Sequence, residues 1–231
     1  MNRMITRICP PILLDLIRAL KISKKRVDQP YYLADNSGQD LDIYWTKEMA
    51  EQLEIWGEEN AWIEIECLLI NCKGKICDIA CGTGVNIKNL SKFPFLELYG
   101  FDISDLLLGK AREKGIDPNY LKTFDATNTG YNDEEFDYSY SIGSLEHFTE
   151  SGIDLFLKEC GRYTSKRAFH MIPISENGRD NGWIKRGQSY FNNSVEWWLP
   201  KFEKFFSKVY VINSGWKDPG VSIGKWFICF K

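Results

Sequence analysis

Histidine is scarce in this sequence: two residues in 231, His147 and His170. A histidine-rich metal centre is thereby excluded, and acid–base chemistry has few imidazoles to draw on. No apolar run approaches the ~20 residues that span a bilayer. The most apolar stretch, Ile8 to Leu20, is interrupted by Asp15 and Arg18 and has no small-residue cleavage site, so neither a span nor a secretory signal is expected. The seven cysteines (Cys9, Cys67, Cys72, Cys77, Cys81, Cys160, Cys229) form no C-x-x-C pair. Their odd number and core-like surroundings predict reduced thiols in a cytoplasmic protein rather than disulfides or a zinc knuckle. Internal repeats and low-complexity tracts are absent. The formal net charge is −3, which offers no basis for a nucleic-acid partner.

The charge that is present is uneven. Residues 1–27 hold seven Lys/Arg against one acid, Asp15, a local +6 that leaves −9 for the remainder. Within that segment Pro10-Pro11 opens a short helical pattern, with Leu13, Leu16, Ile17 and Leu20 at helical spacing before the basic patch. Two readings stay open: a helix docked on its own domain or on another subunit, or a peripheral membrane contact through residues 1–27.

Further on, residues 28–45 read as loop, with a turn at Asn36-Ser37-Gly38. Helices are expected from Thr46 to Gly57 and from Glu58 to about Asn71. The rhythm then changes to alternating strand and helix. Strands are expected at Lys75–Ala80, Leu96–Phe101, Tyr120–Phe124, Phe136–Tyr140 and Arg167–Ile174. Helices fall at Val85–Phe93, Ser104–Lys114 and Gly152–Gly161. An irregular polar stretch, Ser175 to Asn192, precedes a helix over Ser194–Phe206 that Asn193 caps and Pro200 kinks. Lys208–Ile212 and Ser222–Phe230, joined through Asp218-Pro-Gly220, should be antiparallel neighbours. This order predicts an α/β, Rossmann-like, doubly wound seven-stranded sheet with its last strand antiparallel, plus an N-terminal helical extension.

The strongest chemical signal is Asp78-Ile-Ala-Cys-Gly-Thr-Gly84, a strand running into a glycine turn that opens a helix. Such a turn lets backbone approach a ligand and offers free N–H groups to an anion. Asp102 closes the second strand, where a doubly wound fold places an acceptor for ribose hydroxyls. A nicotinamide fingerprint would need a third glycine where Ile87 stands, so a dehydrogenase is not expected.

Together, Cys77-Asp-Ile-Ala-Cys-Gly-Thr-Gly84, Gly100-Phe-Asp-Ile-Ser104, Asp125-Ala126 and Phe136 to Phe148 resemble the class I S-adenosylmethionine-dependent methyltransferases, in the family's order, over roughly residues 70–231. A weaker resemblance, confined to Ile8–Leu20 and the basic run after it, is to methyltransferases of bacterial surface-polysaccharide clusters. The family resemblance implies S-adenosylmethionine as cofactor. It implies that Asp78, Ala80, Cys81, Gly82 and Gly84 flank the methionine part, and that Asp102 meets the ribose. Ile103 would pack on adenine, Asp125 and Ala126 would meet its amino edge, and Ser141 and Ile142 would line the sulfonium end. Ala80 departs from the family's usual glycine.

Methyl transfer asks chiefly for alignment, and a hydroxyl acceptor additionally for a base. His147 and Glu146 are the catalytic candidates, with a structural role for His147 equally open, while His170 reads as a satisfied core histidine. Ser141-Ile-Gly-Ser144 lacks the Asp/Asn-Pro-Pro-aromatic run of base methylation, and no metal site is found. Acceptor-binding candidates are Tyr31, Tyr32, Tyr44 and Trp45, and the Glu176–Asn193 stretch with Arg179, Trp183, Lys185, Arg186, Gln188 and Tyr190. Trp56 and Trp62 read as core. The domain reading is an extension and lid over residues 1–70 and a methyltransferase domain over 71–231. The expected function is methylation of a small-molecule acceptor, a sugar hydroxyl of surface-polysaccharide biosynthesis being one candidate. The alternative is a cofactor-binding subunit without catalysis.

Overall fold

Strand β1 (Gly74–Ile79) buries its last four residues, Ile76 to Ile79, in succession. A strand covered on both faces needs that continuous pattern, and it marks the centre of a parallel sheet. The computed structural model describes residues 32–33, 39–57 and 60–231. Met1–Tyr32 and Leu33–Lys231 separate as two units, and the architecture below belongs to the second. The expected helix near Pro10-Pro11, the basic segment, Tyr31 and the turn at residues 36–38 lie outside the described residues.

In chain order the further strands are β2 (Leu96–Asp102), β3 (Leu121–Thr123), β4 (Phe136–Ile142), β5 (Thr164–Ser175), β6 (Trp183–Arg186), β7 (Gln188–Phe191), β8 (Lys208–Asp218) and β9 (Ser222–Phe230). Seven of the strands make one sheet in the order β3-β2-β1-β4-β5-β9-β8. The pairs from β3 to β5 are parallel, and β9 runs antiparallel to both β5 and β8. The chain therefore has the doubly wound, Rossmann-like sheet with an antiparallel last strand.

The helices are α1 (Lys47–Leu53), α2 (Ala61–Leu69), α3 (Val85–Leu90), α4 (Asp105–Glu113), α5 (Glu150–Tyr163) and α6 (Val195–Glu203). Side chains alternate across the strands, so β5 sends Ala168 and Ile172 into one apolar layer and Phe169 and Met171 into the other. The first layer is closed by α5 and α6 through Phe156, Leu157, Trp198 and Phe202, the second by α2 through Ile65 and Leu69. Glu64 ties α2 to the sheet edge: it accepts from the Trp226 indole at 2.7 Å and the Ser214 hydroxyl at 2.7 Å.

Several expectations are corrected. Residues Leu41–Trp45 form a 3-10 turn instead of loop. Helix α1 stops at Leu53, short of Gly57, and α2 starts after an Asn60 cap. Ser194, not Asn193, caps α6, since its hydroxyl accepts from the Trp197 N–H while Asn193 receives the Gly182 N–H. The stretch read as irregular contains the β6–β7 hairpin, turned at Gly187 with φ +83°. Strand β8 runs to Asp218, well beyond Ile212. Cys67 is exposed, whereas Cys72, Cys77, Cys81, Cys160 and Cys229 are buried, and all six are free.

Candidate active site

Parallel strands place their carboxyl ends on one edge, and the loops there surround a crevice. The turn after β1 begins this wall. Ala80 sits at φ +54°, a left-handed conformation that a Cβ makes unfavourable by ~1 kcal/mol or more. Gly82 is also left-handed, and a side chain there would meet only Leu53, at 3.3 Å across the cleft. Gly84 has a different purpose. A Cβ on it would lie 2.5 Å from Ile116 and 2.9 Å from Ala111, so its bareness serves the packing of α3 on α4 rather than ligand approach.

Asp102 ends β2 with each carboxylate oxygen on a backbone donor: Gly82 N–H to Oδ2 and Ser104 N–H to Oδ1, both at 2.9 Å. Burial raises its pKa, and these donors oppose the rise. Each oxygen keeps a further lone pair, which suits a ligand hydroxyl. Asp125, exposed at the end of the β3 wall, takes the Thr127 N–H and hydroxyl on one oxygen.

These residues line one cleft of about 1070 Å³, counted to its open mouth. Of the sequence candidates, Ala80, Cys81, Gly82, Asp102, Ile103, Asp125, Ala126 and Ile142 line it. Asp78, Gly84, Ser141, Glu146 and His147 do not. Asp78 stands behind the wall, where it accepts from the Tyr140 hydroxyl at 2.8 Å and burial holds its carboxyl well above the usual range. Ser141 pairs with His170 Nδ1 at 2.8 Å, and His170 Nε2 meets the Cys160 thiol at 3.6 Å. Burial lowers that imidazole to about 3, so it is a neutral core histidine.

Glu146 and His147 form a pair beneath the loop after β4. His147 Nδ1 lies 2.8 Å from the Ser189 carbonyl, so that nitrogen carries the proton and donates. Its Nε2 is 3.7 Å from Glu146, whose other oxygen is buried with no hydrogen-bond partner among the described residues. Desolvation lowers His147 to about 4, although 15% of its side chain reaches solvent, and raises the 1% exposed Glu146 to about 8. At neutral pH both are uncharged.

The opposite wall comes from the segment before the sheet: Gln39, Leu41, Tyr44, Leu53, Trp56 and Trp62 line the cleft. Trp56 and Trp62, read as core, are thus cleft residues. Trp56 also packs on Trp216 with ring centroids 5.3 Å apart, and its ring lies 2.8 Å from where a Gly143 Cβ would be. Both rims hold this segment. On one, the Ser104 hydroxyl donates to the Tyr44 carbonyl at 2.7 Å and the Trp45 indole to Asp105 at 3.0 Å. On the other, Asp40 accepts from the Ser189 N–H at 2.8 Å and pairs with Lys185 at 3.1 Å. Of the acceptor candidates in the Glu176–Asn193 stretch, Gln188 lines the cleft, while Trp183 and Tyr190 are buried away from it. Neither Trp45 nor Arg179 lines it. Among the described residues, no group of His, Cys, Asp and Glu could hold a metal ion, and no helix is long and apolar enough to cross a membrane.

An aspartate-tipped second strand, a left-handed turn after the first and this strand order are features of a Rossmann-like domain with its crevice at the carboxyl ends of the strands. Residues 76–167 match the methyltransferase domain family. Among solved structures, magnesium protoporphyrin IX methyltransferase of Synechocystis, with bound S-adenosylmethionine, is 13% identical at TM-score 0.61, over 82% of this chain and 94% of that one. A methyltransferase of Thermotoga maritima is 18% identical at TM-score 0.59, over 82% and 98%. A third, of Clostridium acetobutylicum, is 15% identical at TM-score 0.56, over 82% and 96%. Identities this low speak for a shared fold. No curated protein sequence matches the chain. The family match spans 92 of the 231 residues, and over most of its length the chain shares the fold of S-adenosylmethionine-dependent methyltransferases.

Proposed function

We propose that the enzyme methylates a small molecule bound between the β4 loop and the segment of residues 39–62. One observation carries this: a single cleft has an adenosine-type wall on one side and an aromatic, uncharged wall on the other. When bound, S-adenosylmethionine supplies an activated methyl group, so the protein's work is to align acceptor and donor and to exclude water.

In this reading Asp102 takes the ribose hydroxyls, Ile103 packs on adenine, and Asp125 with Ala126 meets the adenine edge. Ala80, Cys81 and Gly82 flank the methionine part, and Ile142 faces the sulfonium end. Asp78 acts through Tyr140, Ser141 through His170 and Gly84 through helix packing, all as positioning residues. Glu146 and His147 brace the β4 loop against β7 rather than touching the acceptor. The segment over residues 39–62 serves as the lid.

A sugar hydroxyl would need a base at the acceptor end, and Glu146 and His147 stand behind the wall there. The cleft therefore favours a nucleophile that attacks without such a base. Calorimetric titration with S-adenosylhomocysteine tests the cofactor wall. Asp102→Ala should weaken binding about 10- to 100-fold, the value of one or two charge-assisted hydrogen bonds. An unchanged affinity would remove Asp102 from the site.

A further inference from the structure

We infer that Ser104 is a positioning residue that ties the lid to the ribose acid, so that the acceptor half of the cleft is set once the nucleoside is bound. This rests on the proposed function, in which Asp102 takes the ribose and residues 39–62 form the lid. Ser104 is fully buried and makes three hydrogen bonds. Its N–H donates to Asp102 Oδ1 at 2.9 Å, and its hydroxyl oxygen accepts from the Leu107 N–H at 3.2 Å to cap α4. Capping asks for that oxygen alone. The hydroxyl proton is spare, and it goes to the Tyr44 carbonyl at 2.7 Å, sixty positions back in the chain. Asp105, the next residue, holds the next residue of the lid through the Trp45 indole at 3.0 Å.

The other oxygen of Asp102 leads to the lid as well. It accepts from the Gly82 N–H at 2.9 Å, and Gly82 faces Leu53, which would stand 3.3 Å from a Cβ there. Tyr44 and Leu53 both line the cleft. Both carboxylate oxygens therefore rest on groups that border the lid. A ribose diol on the remaining lone pairs of Asp102 fixes that carboxylate, and with it the backbone of Ser104 and Gly82. To swing away from the cleft, the lid must then break the Ser104–Tyr44 bond from an anchor that no longer follows it. The lid opens less often with the nucleoside in place, and by reciprocity a closed lid retains the nucleoside. The acceptor, whose wall is the lid, binds second.

Hydrogen exchange read by mass spectrometry, in free protein and at saturating S-adenosylhomocysteine, tests this. In the wild type the amides of residues 41–54 should exchange about fivefold or more slowly when loaded, roughly the value of one hydrogen bond. Ser104→Ala should lose that difference, while the turn over residues 80–84 keeps its own protection. Ser104→Gly removes the same hydroxyl with less harm to the cap and should behave alike. Trp45→Phe loosens the lid without removing a bond to Ser104 or Asp102, so exchange should quicken in both states and the difference should remain. A Ser104 that served as a cap alone would leave the difference intact in its own variants, and that result overturns the inference. If S-adenosylhomocysteine protects the turn but not the lid, the cofactor wall stands and the coupling falls. If it does not bind, the reading of the cleft falls and takes the inference with it.

Discussion

Replacing Glu146 by Gln turns its burial into a measurable pH dependence. Folding holds the carboxyl in its protonated form, with a pKa near 8 against 4.5 when unfolded. A pKa raised in the folded state makes its contribution most favourable below the unfolded value. The penalty for ionising then grows as pH climbs from about 4.5 to about 8 and is constant above that. At about 1.4 kcal/mol per pH unit the full span approaches ~5 kcal/mol. Local relaxation trims such penalties, so a change of about 2–4 kcal/mol between pH 5 and 8 is expected. Gln mimics the protonated acid and carries no such term. Its stability minus that of the wild type should therefore rise with pH across this window and level off above it. His147 acts in the opposite sense, since its lowered pKa makes the fold gain stability between about 4 and 6.5. That contribution is common to both proteins and cancels in the difference. Urea unfolding followed by tryptophan fluorescence at each pH from 5 to 9 gives the two curves. A difference that stays constant with pH would refute a neutral Glu146.

Three further expectations follow from the backbone and the charge distribution. Ala80→Gly should stabilise the fold by about 0.5–1 kcal/mol, because it relieves a left-handed Cβ; thermal unfolding that shifts downward would contradict this. Gly84→Ala should cost about 1–3 kcal/mol through its clash with Ala111 and Ile116, whereas Gly82→Ala, facing open cleft, should weaken S-adenosylhomocysteine binding more than stability; the reverse pattern would exchange their roles. If residues 1–27 are a membrane contact, full-length protein should sediment with anionic vesicles and a deletion of 1–27 should not; equal partitioning of both would end that proposal.

The sheet was legible because its signals are local and redundant. An apolar strand, a glycine turn and a capped helix recur in the chain, and Ser104 caps α4 as its position suggests. The β6–β7 hairpin was not legible, because four-residue strands mixing Trp183 and Ile184 with Lys185 and Arg186 carry too few alternations to stand out from loop. Within the cleft, Asp102 could be found because its chemistry is tied to a strand end, whereas Asp125 came only through the family resemblance. Gly84 shows the limit of that logic. A glycine needed for helix packing and one needed for ligand approach look alike until the neighbours of the missing Cβ are known. Trp56 and Trp62 escaped for a related reason: helical spacing reports that a side chain is covered, not whether protein or ligand covers it.

The insertion of β9 between β5 and β8 bears on how the protein is made. Strand β8 pairs with β9 and with no other strand of its sheet, so when it leaves the ribosome it has nothing to join. Until residues 222–230 follow, β5 and β8 both present unpaired backbone, and the apolar faces that Trp226 and Phe227 later cover stay open. The folding chain passes through an interval in which the parallel half of the sheet is complete while its other half is adhesive. Expression yield should therefore depend on chaperones acting late in synthesis.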